Sequence, residues 1–420
     1  MAQLREAEHR PSRAAVASSE ERGMMEALRA YPAFRMLLIG TLATNSAFWM
    51  YQVAVGWLAL ELTDSPLFVG LAGFASGIPM LIFSLPAGVI IDRYDRRIVL
   101  LIAQCGVMLI SGVFAAMVGT DIIRPWSILV LVAVYGTIMT FIFPVRTAMV
   151  PSLVDRPDIA IGVALNSAVQ NATRVVGPSL AGVSIALIGV SETFAVAAAM
   201  QALALVATSR LPSNTSGPSR HAGTRWEVLT LGFRIVARSP FLIALIVLAL
   251  APTVLVMPYI NLMPIFARDE LGLGSTGLGV LLASTGLGTV AGALSVARSP
   301  SLRGRRGSQV LTATGFAVGV LAFAVTPNVP LAALLLFGAG WMSAAFLAIN
   351  QTALQLSVDD DVRGRVFSIY LLTWGMLPIG QLAVGALADV VGTPLAMLSS
   401  CLAAIACIAV IAWRFPSLRT

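Results

Sequence analysis

The chain has 420 residues, of which 58% are hydrophobic and only 11% charged, with a mean hydropathy of +0.88. A soluble domain carries roughly 25% charged residues, so the composition excludes a soluble globular protein and points to an integral membrane one. The net charge of +7 comes from 27 basic residues, all arginine, spread over loops and not gathered with stacking aromatics, which excludes nucleic-acid binding.

Residues 1–30 are polar, without a short apolar core or small-residue cleavage site, and are read as a cytoplasmic tail rather than a signal peptide. Met24 and Met25 offer alternative starts to Met1. Six apolar spans follow at 33–60, 66–91, 98–119, 126–150, 159–189 and 192–210, each long enough by the ~20-residue criterion for crossing a bilayer. The polar stretch from Pro212 to Ser219 is a linker. Beyond it, Trp226, Leu229, Phe233 and Val236 recur at helical spacing beside Arg225, Arg234 and Arg238, as in an amphipathic helix on a membrane surface. Six more spans lie at 240–267, 275–297, 307–326, 329–357, 366–391 and 393–413. The expected organisation is a tail (1–30), a six-helix bundle (31–211), a linker with its amphipathic helix (212–238), a second bundle (239–414) and a short cytoplasmic tail (415–420).

Cys105, Cys401 and Cys407 fall inside apolar spans, an odd number at spacings that suit neither a disulfide framework nor a metal. No metal site and no cofactor is expected. His9 and His221 lie outside the spans, which excludes an intramembrane histidine relay. Arginines crowd alternate loops, on the side of both termini (Arg93, Arg96, Arg97, Arg156, Arg298, Arg303, Arg305, Arg306, Arg363, Arg365). The opposite loops hold only Arg124 and Arg268. By the positive-inside rule both termini are cytoplasmic.

The halves look like copies. Gly70, Gly77, Arg96 and Arg97 match Gly279, Gly286, Arg305 and Arg306 at one offset, and Thr147-Ala148 has its counterpart in Thr352-Ala353. Internal duplication of six-helix halves is a transporter architecture.

The turn between the second and third spans, Gly88-Val-Ile-Ile-Asp92-Arg93-Tyr-Asp95-Arg96-Arg97, resembles the corresponding loop of the major facilitator superfamily, with Asp95 where many members have glycine. The resemblance covers about Tyr31 to Arg414. Phe143-Pro144-Val-Arg146-Thr-Ala148, Asn166-Ser167 and the run from Asp361 to Ser368 resemble the drug- and siderophore-exporting branch, which includes the enterobactin exporter and macrolide efflux pumps. Gly177-Pro178-Ser-Leu-Ala-Gly182 is similar to the antiporter signature of the fifth helix, with Ala181 in place of a glycine. The resemblance implies an all-α fold of twelve transmembrane helices in two pseudo-symmetric bundles. It implies conformational gating by Gly88, Asp92, Arg93, Arg96 and Arg97; by loop geometry, Asp92 can approach the N-terminus of the eleventh helix and Arg96 can reach Asp155. It also implies that Gly177 and Pro178 control leakage. Gly385-Ala-Leu-Ala-Asp389 repeats the Gly-x-x-x-Asp spacing at the opposite face, and the sequence alone reads that as coincidence.

Polar stripes inside the spans mark a candidate substrate cavity. Asn45, Trp49 and Gln52 share one face of the first span. Ser167, Asn171 and Arg174, with Gln170 beside them, share a face of the fifth, where Arg174 sits near mid-membrane, about 22 Å up the helix. An intramembrane arginine needs a partner or a wet cavity. Pro252, Pro258 and Pro264 break the seventh span around Tyr259 and Asn261, and Asn350 is a further cavity candidate in the tenth. An aromatic with nearby amides suits a small amphipathic organic ligand, and Arg174 suits an anionic one. No nucleophile–base pair or phosphate-binding glycine loop is present, so an enzyme is not expected.

The reading is a secondary active exporter of small amphipathic molecules in the cell membrane, working by alternating access as a monomer. The resemblance implies protons as coupling ion, yet no Asp or Glu lies in the middle of a span. Alternatives of the same fold are a lipid or lysophospholipid flippase and a small-molecule importer. A non-transporting receptor or scaffold belongs to another class.

Overall fold

A computed structural model describes residues 24–213, 233–299, 307–358 and 360–418. Among them every regular element is helical. A short helix α1 (Met24–Ala30) precedes six rods: α2 (Pro32–Thr63), α3 (Pro66–Arg93), α4 (Arg96–Gly119), α5 (Pro125–Leu153), α6 (Ile159–Ile188) and α7 (Val190–Ser209). Then come α8 (Pro240–Leu255), α9 (Tyr259–Ile265), α10 (Gly274–Arg298), α11 (Ser308–Ala324), α12 (Val329–Leu356), α13 (Asp360–Gly375), α14 (Leu377–Val391) and α15 (Thr393–Arg414). Ten helical stretches are long and apolar enough to cross a membrane. Of the twelve expected, α11 is shorter than these, and α2 is long but diluted by Asn45, Trp49, Tyr51 and Gln52. The expected linker helix is described only over 233–238; Arg225, Trp226, Leu229, Arg303, Arg305 and Arg306 lie outside the described residues.

Helix starts follow local chemistry. Proline opens α2, α3, α5 and α8, where its missing N–H costs nothing. Ser65, Asp95, Ser239 and Asn328 cap α3, α4, α8 and α12 through their side chains. Asp95, the departure in the loop motif, thus accepts from Arg97 N at 2.8 Å as a cap. Gly189 and Gly392 turn the chain between α6 and α7 and between α14 and α15, both with positive φ (95° and 86°).

Two spans are not single helices. The seventh runs as α8, a break at 256–258, α9 and a five-residue π turn, Phe266–Glu270, as its three prolines predict. The eleventh, read from sequence as one stretch at 366–391, begins at Asp360 and divides at Met376. Pro378 cannot donate to the Trp374 carbonyl one turn back, so the ladder is interrupted there.

The first six rods and the last six pack in matching pairs: α3 on α5 and α10 on α12, α4 on α7 and α11 on α15. Glycine lets the backbones touch. A Cβ on Gly136 would collide with the Ser76 carbonyl of α3, and one on Gly340 with the Thr285 carbonyl of α10. Between the halves, α6 lies against α10 and α3 against α14. A stacked pair, Tyr51 on Tyr135 with centroids 3.7 Å apart, joins Phe114 and Phe194 in the core of the first six rods.

Gly136→Ala is expected to destabilise the protein by about 1–3 kcal/mol. Gly112→Ala, at a site with open space around it, is expected to change stability by under ~0.5 kcal/mol. Thermal unfolding in detergent compares the two.

Candidate functional site

The two halves meet chiefly where α3 packs on α14 and α6 on α10, with smaller contacts of α2 and α3 with α9 and of α3 with α13. Helices α3 and α14 run antiparallel. Gly70 lies on Gly385, Gly73 on Gln381, Gly77 on Pro378, and Leu81 on Gly375. Gly182 of α6 meets Gly279 of α10 backbone to backbone, and Gly56 of α2 lies 3.5 Å (as a Cβ) from the Pro264 ring of α9. All these contacts lie between mid-rod and the face that carries Asp64, Asp121, Arg268 and Asp389. That face, opposite the one bearing α1 and the C-terminal segment, is called the far face.

Polar side chains line the seam. Asn261 Oδ1 accepts from Gln381 Nε2 at 3.0 Å, and this amide pair presses on Gly73 of the first half. One turn along α3, Ser76 Oγ donates to Gln52 Oε1 at 3.4 Å. Arg174 of α6 faces Trp374 of α13 across the seam, its guanidinium carbon 5.6 Å from the ring centroid. This cation–π geometry is favourable where water is scarce. Trp49, Gln52, Gln170, Arg174 and Trp374 are all partly exposed. Of the residues predicted from sequence, Arg174 and Asn261 therefore meet partners across the seam, Gln52 accepts from Ser76 within the first half, and Trp49 packs over Gly177.

Others sit elsewhere. Asn45 is 4% exposed inside the first six rods, its Oδ1 unpartnered. Tyr259 is buried against Phe316. Asn350 is fully buried and donates from Nδ2 to the Leu245 carbonyl at 3.1 Å, tying α12 to α8. These last two belong to the interior of the second six rods, because helical spacing gives a residue's face but not which neighbour covers it. The side chains of Asn171 and Asp92 lie outside the described residues.

At the terminal face, Arg96 Nη1 donates to the Ala148 carbonyl at 3.1 Å and Arg97 reaches the Ser209 carbonyl. Both arginines thus serve carbonyls near helix C-termini, as the helix dipole favours. The predicted Arg96–Asp155 contact is not formed. Asp155 instead accepts from the Tyr31 hydroxyl at 2.9 Å, and Asp158 accepts from it at 2.6 Å. The Asp158 bond, then burial and the Asp155 bond, push the Tyr31 phenol up to about 12, so it remains a donor. Arg93 is exposed and Gly88 half-buried. Gly177 and Pro178 are buried, with Gly177 against Trp49 and the Ser46 carbonyl of α2.

Sequence reasoning passed over Arg146 except as part of a motif. It is 2% exposed. Its guanidinium donates to Thr41 Oγ1 (2.9 Å), Thr44 Oγ1 (2.8 Å) and the Leu37 carbonyl (3.4 Å), in a slot that Gly40 keeps open. Gln104 and Asn166 extend the network from α4 and α6. Among the described residues no carboxylate pairs with Arg146. The signal was an arginine seven residues inside an apolar run. Trp374, Ser76 and Gln381 gave none, since each becomes a seam residue only through the packing of distant helices. Two concavities, of about 340 and 520 Å³, lie by Ser239 and Ser357 and by Pro240 and Arg414, away from the seam.

A buried cation held only by neutral acceptors lowers stability. Arg146→Met is therefore expected to keep or raise the unfolding temperature. Thr41→Val with Thr44→Val, which strands the guanidinium, is expected to cost about 2 kcal/mol or more. Thermal unfolding of the purified variants distinguishes them.

Comparison with known proteins agrees with this architecture. Residues 26–420 match the family described as transmembrane secretion effector. The staphyloferrin A transporter of Staphylococcus aureus is 23% identical, over 82% of this chain and 86% of that protein. The multidrug efflux pump Tap of Mycolicibacterium fortuitum is 27% identical, over 85% and 89%, and the enterobactin exporter EntS of Shigella boydii 27%, over 82% and 82%. Among solved structures, a bacterial homologue of the human lysosomal transporter Spinster, inward-facing and unoccupied, superposes with a TM-score of 0.72 at 14% identity, covering 93% of this chain and 99% of that one. The nucleoside transporter NupG gives 0.69 at 13%, covering 92% and 98%.

Proposed function

The chain belongs to the transmembrane secretion effector family of major facilitator transporters, and from that premise we propose that it exports small amphipathic organic molecules, anionic ones included, by alternating access. One observation carries the reading: Arg174 and Trp374 face each other from opposite halves at mid-rod, a cation beside an aromatic surface. A flat, partly charged ligand can replace each as the other's partner, with the amides of Gln52, Asn261 and Gln381 and the hydroxyl of Ser76 fixing its orientation. The relatives named for siderophore transport or export and for multidrug efflux support this substrate class.

The two halves, 31–211 and 239–414, move against each other as bodies. The arginine excess makes the terminal face cytoplasmic, so the far face is outer, in the cell membrane. Protons are the proposed coupling ion, and a monomer is the proposed functional unit. Acidic side chains such as Glu61, Asp64 and Asp389 stand at rod ends, so coupling acts through the ends of the pathway or through cations within it. Gly88, Asp92, Arg93, Arg96 and Arg97 gate the cytoplasmic mouth. With Arg96 on Ala148 and Asp155 held by Tyr31, the expected Arg96–Asp155 contact belongs to a different state from this one. Gly177 and Pro178 hold α6 close to α2.

Efflux by a deletion strain and its complemented form, across catecholate, other anionic, neutral and cationic compounds, tests the function. Uptake unaffected by the gene for every compound would remove it. Arg174→Ala is expected to lower kcat/KM for anionic aromatic substrates tenfold to about a hundredfold, from loss of a charge-assisted contact. Neutral substrates should lose less. Arg174→Lys is expected to recover only part, because the ammonium lacks the planar face. Transport into everted vesicles gives both values.

A further inference from the structure

The turn joining α2 to α3 brings two helix ends side by side at the far face. Helix α2 ends at Thr63, with Asp64 in the left-handed region (φ 49°) returning its N–H to the Leu60 carbonyl. Helix α3 begins after Ser65. Pro66 has no N–H to satisfy, the Phe68 amide donates to Ser65 Oγ at 3.3 Å, and the Val69 amide donates to the Ser65 carbonyl at 3.2 Å. The Leu67 amide has its partner elsewhere. It donates to Asp389 Oδ1 at 3.3 Å, and Ser65 Oγ donates to the same oxygen at 2.7 Å. Asp389 ends α14, in the other half.

The neighbouring helix end is completed from the other half too. Arg268, in the π turn after α9, pairs with the Asp64 carboxylate and directs Nη1 at the Leu60 carbonyl, 3.4 Å away, in the last turn of α2. Its Nε donates to Asp269 at 2.5 Å. A cation thus stands at a helix C-terminus and an anion at a helix N-terminus, each sign the one that the helix dipole favours. Both come from the second half and both grip one hairpin of the first.

We infer that Arg268 and Asp389 are gating residues, a two-point latch that holds the far mouth closed by capping the facing ends of α2 and α3. Opening that mouth separates the halves and leaves the Leu67 N–H and the Leu60 carbonyl without these partners. The Gly385-Ala-Leu-Ala-Asp389 spacing, set aside from sequence as coincidence, has a physical reason. Gly385 lies on Gly70, close enough to bring the end of α14 over the start of α3, and Asp389 follows one turn later. Neither contact needs a ligand. The inference rests on the transporter reading only in that the halves move.

The test uses the full chain in nanodiscs with Cys105, Cys401 and Cys407 replaced by serine. Spin labels at Ile122→Cys and Val325→Cys, exposed far-face positions in different halves, report the width of the far mouth. Asp389→Ala and Arg268→Ala are each expected to raise the ratio of open to closed populations about three- to fivefold. Asp389→Asn, which keeps an acceptor, should shift it less. Glu192→Ala, a far-face carboxylate of the first half outside the latch, should leave it unchanged. The swap Asp64→Arg with Arg268→Asp restores an ion pair but places an anion at the Leu60 carbonyl, so it should stay more open than wild type. Unchanged distances in Asp389→Ala, Asp389→Asn and Arg268→Ala, or full closure in the swap, would overturn the latch. Because distances are read without substrate, a chain that exports none of the tested compounds can still pass or fail. Should Asp389→Ala not yield monodisperse protein, Asp389→Asn and Ser65→Ala carry the same comparison.

Discussion

A helix end leaves backbone groups without partners inside the helix, and other parts of the chain can supply them. The hairpin between α2 and α3 meets this constraint by borrowing. Ser65 and the local backbone complete most of the α3 start, but Asp389 from the opposite half takes the Leu67 amide, and Arg268 attends the end of α2. Contact between halves and completion of helix ends are therefore one event at this face. That links a local rule of helix chemistry to the global arrangement of two bundles.

The same economy appears inside the seam. Hydrocarbon offers no hydrophobic drive for one apolar helix to meet another, so association depends on close packing and polar contacts. Gly70, Gly73 and Gly77 on α3, with Gly182 and Gly279 between α6 and α10, supply the close approach. Among these contacts the Asn261–Gln381 amide pair presses on Gly73, and the Arg174–Trp374 pair faces across the seam near mid-rod. Glycine contacts toward the far face and partly exposed polar side chains near mid-rod together make up this seam.

Arg146 and Arg174 differ in kind although both are arginines within apolar rods. Arg146 is enclosed by one bundle, its two terminal nitrogens held by two threonines and a carbonyl. Arg174 lies between bundles, part-exposed, with an aromatic face as its neighbour. A cation kept inside a rigid body contributes to that body, or to a charge held near it. A cation between two bundles contributes to the contact between them.

Much of this protein is written in local chemistry. Apolar run length, loop arginines, prolines at helix starts and the repeated Gly70/Gly279 pattern specify a membrane-embedded helical fold with two related halves, because each depends on residues close in sequence. The polar stripe through Gln52 and the mid-membrane placement of Arg174 follow from helical spacing alone. Tertiary packing decided the rest. It buried Asn45, Tyr259 and Asn350, sent Arg96 to Ala148 and Asp155 to Tyr31, and brought Trp374 opposite Arg174. It also set Asp389 over Leu67, 322 residues away in the chain. A side chain's partner across a helix boundary depends on how whole rods are tilted and set against each other, and no short stretch of sequence encodes that distance.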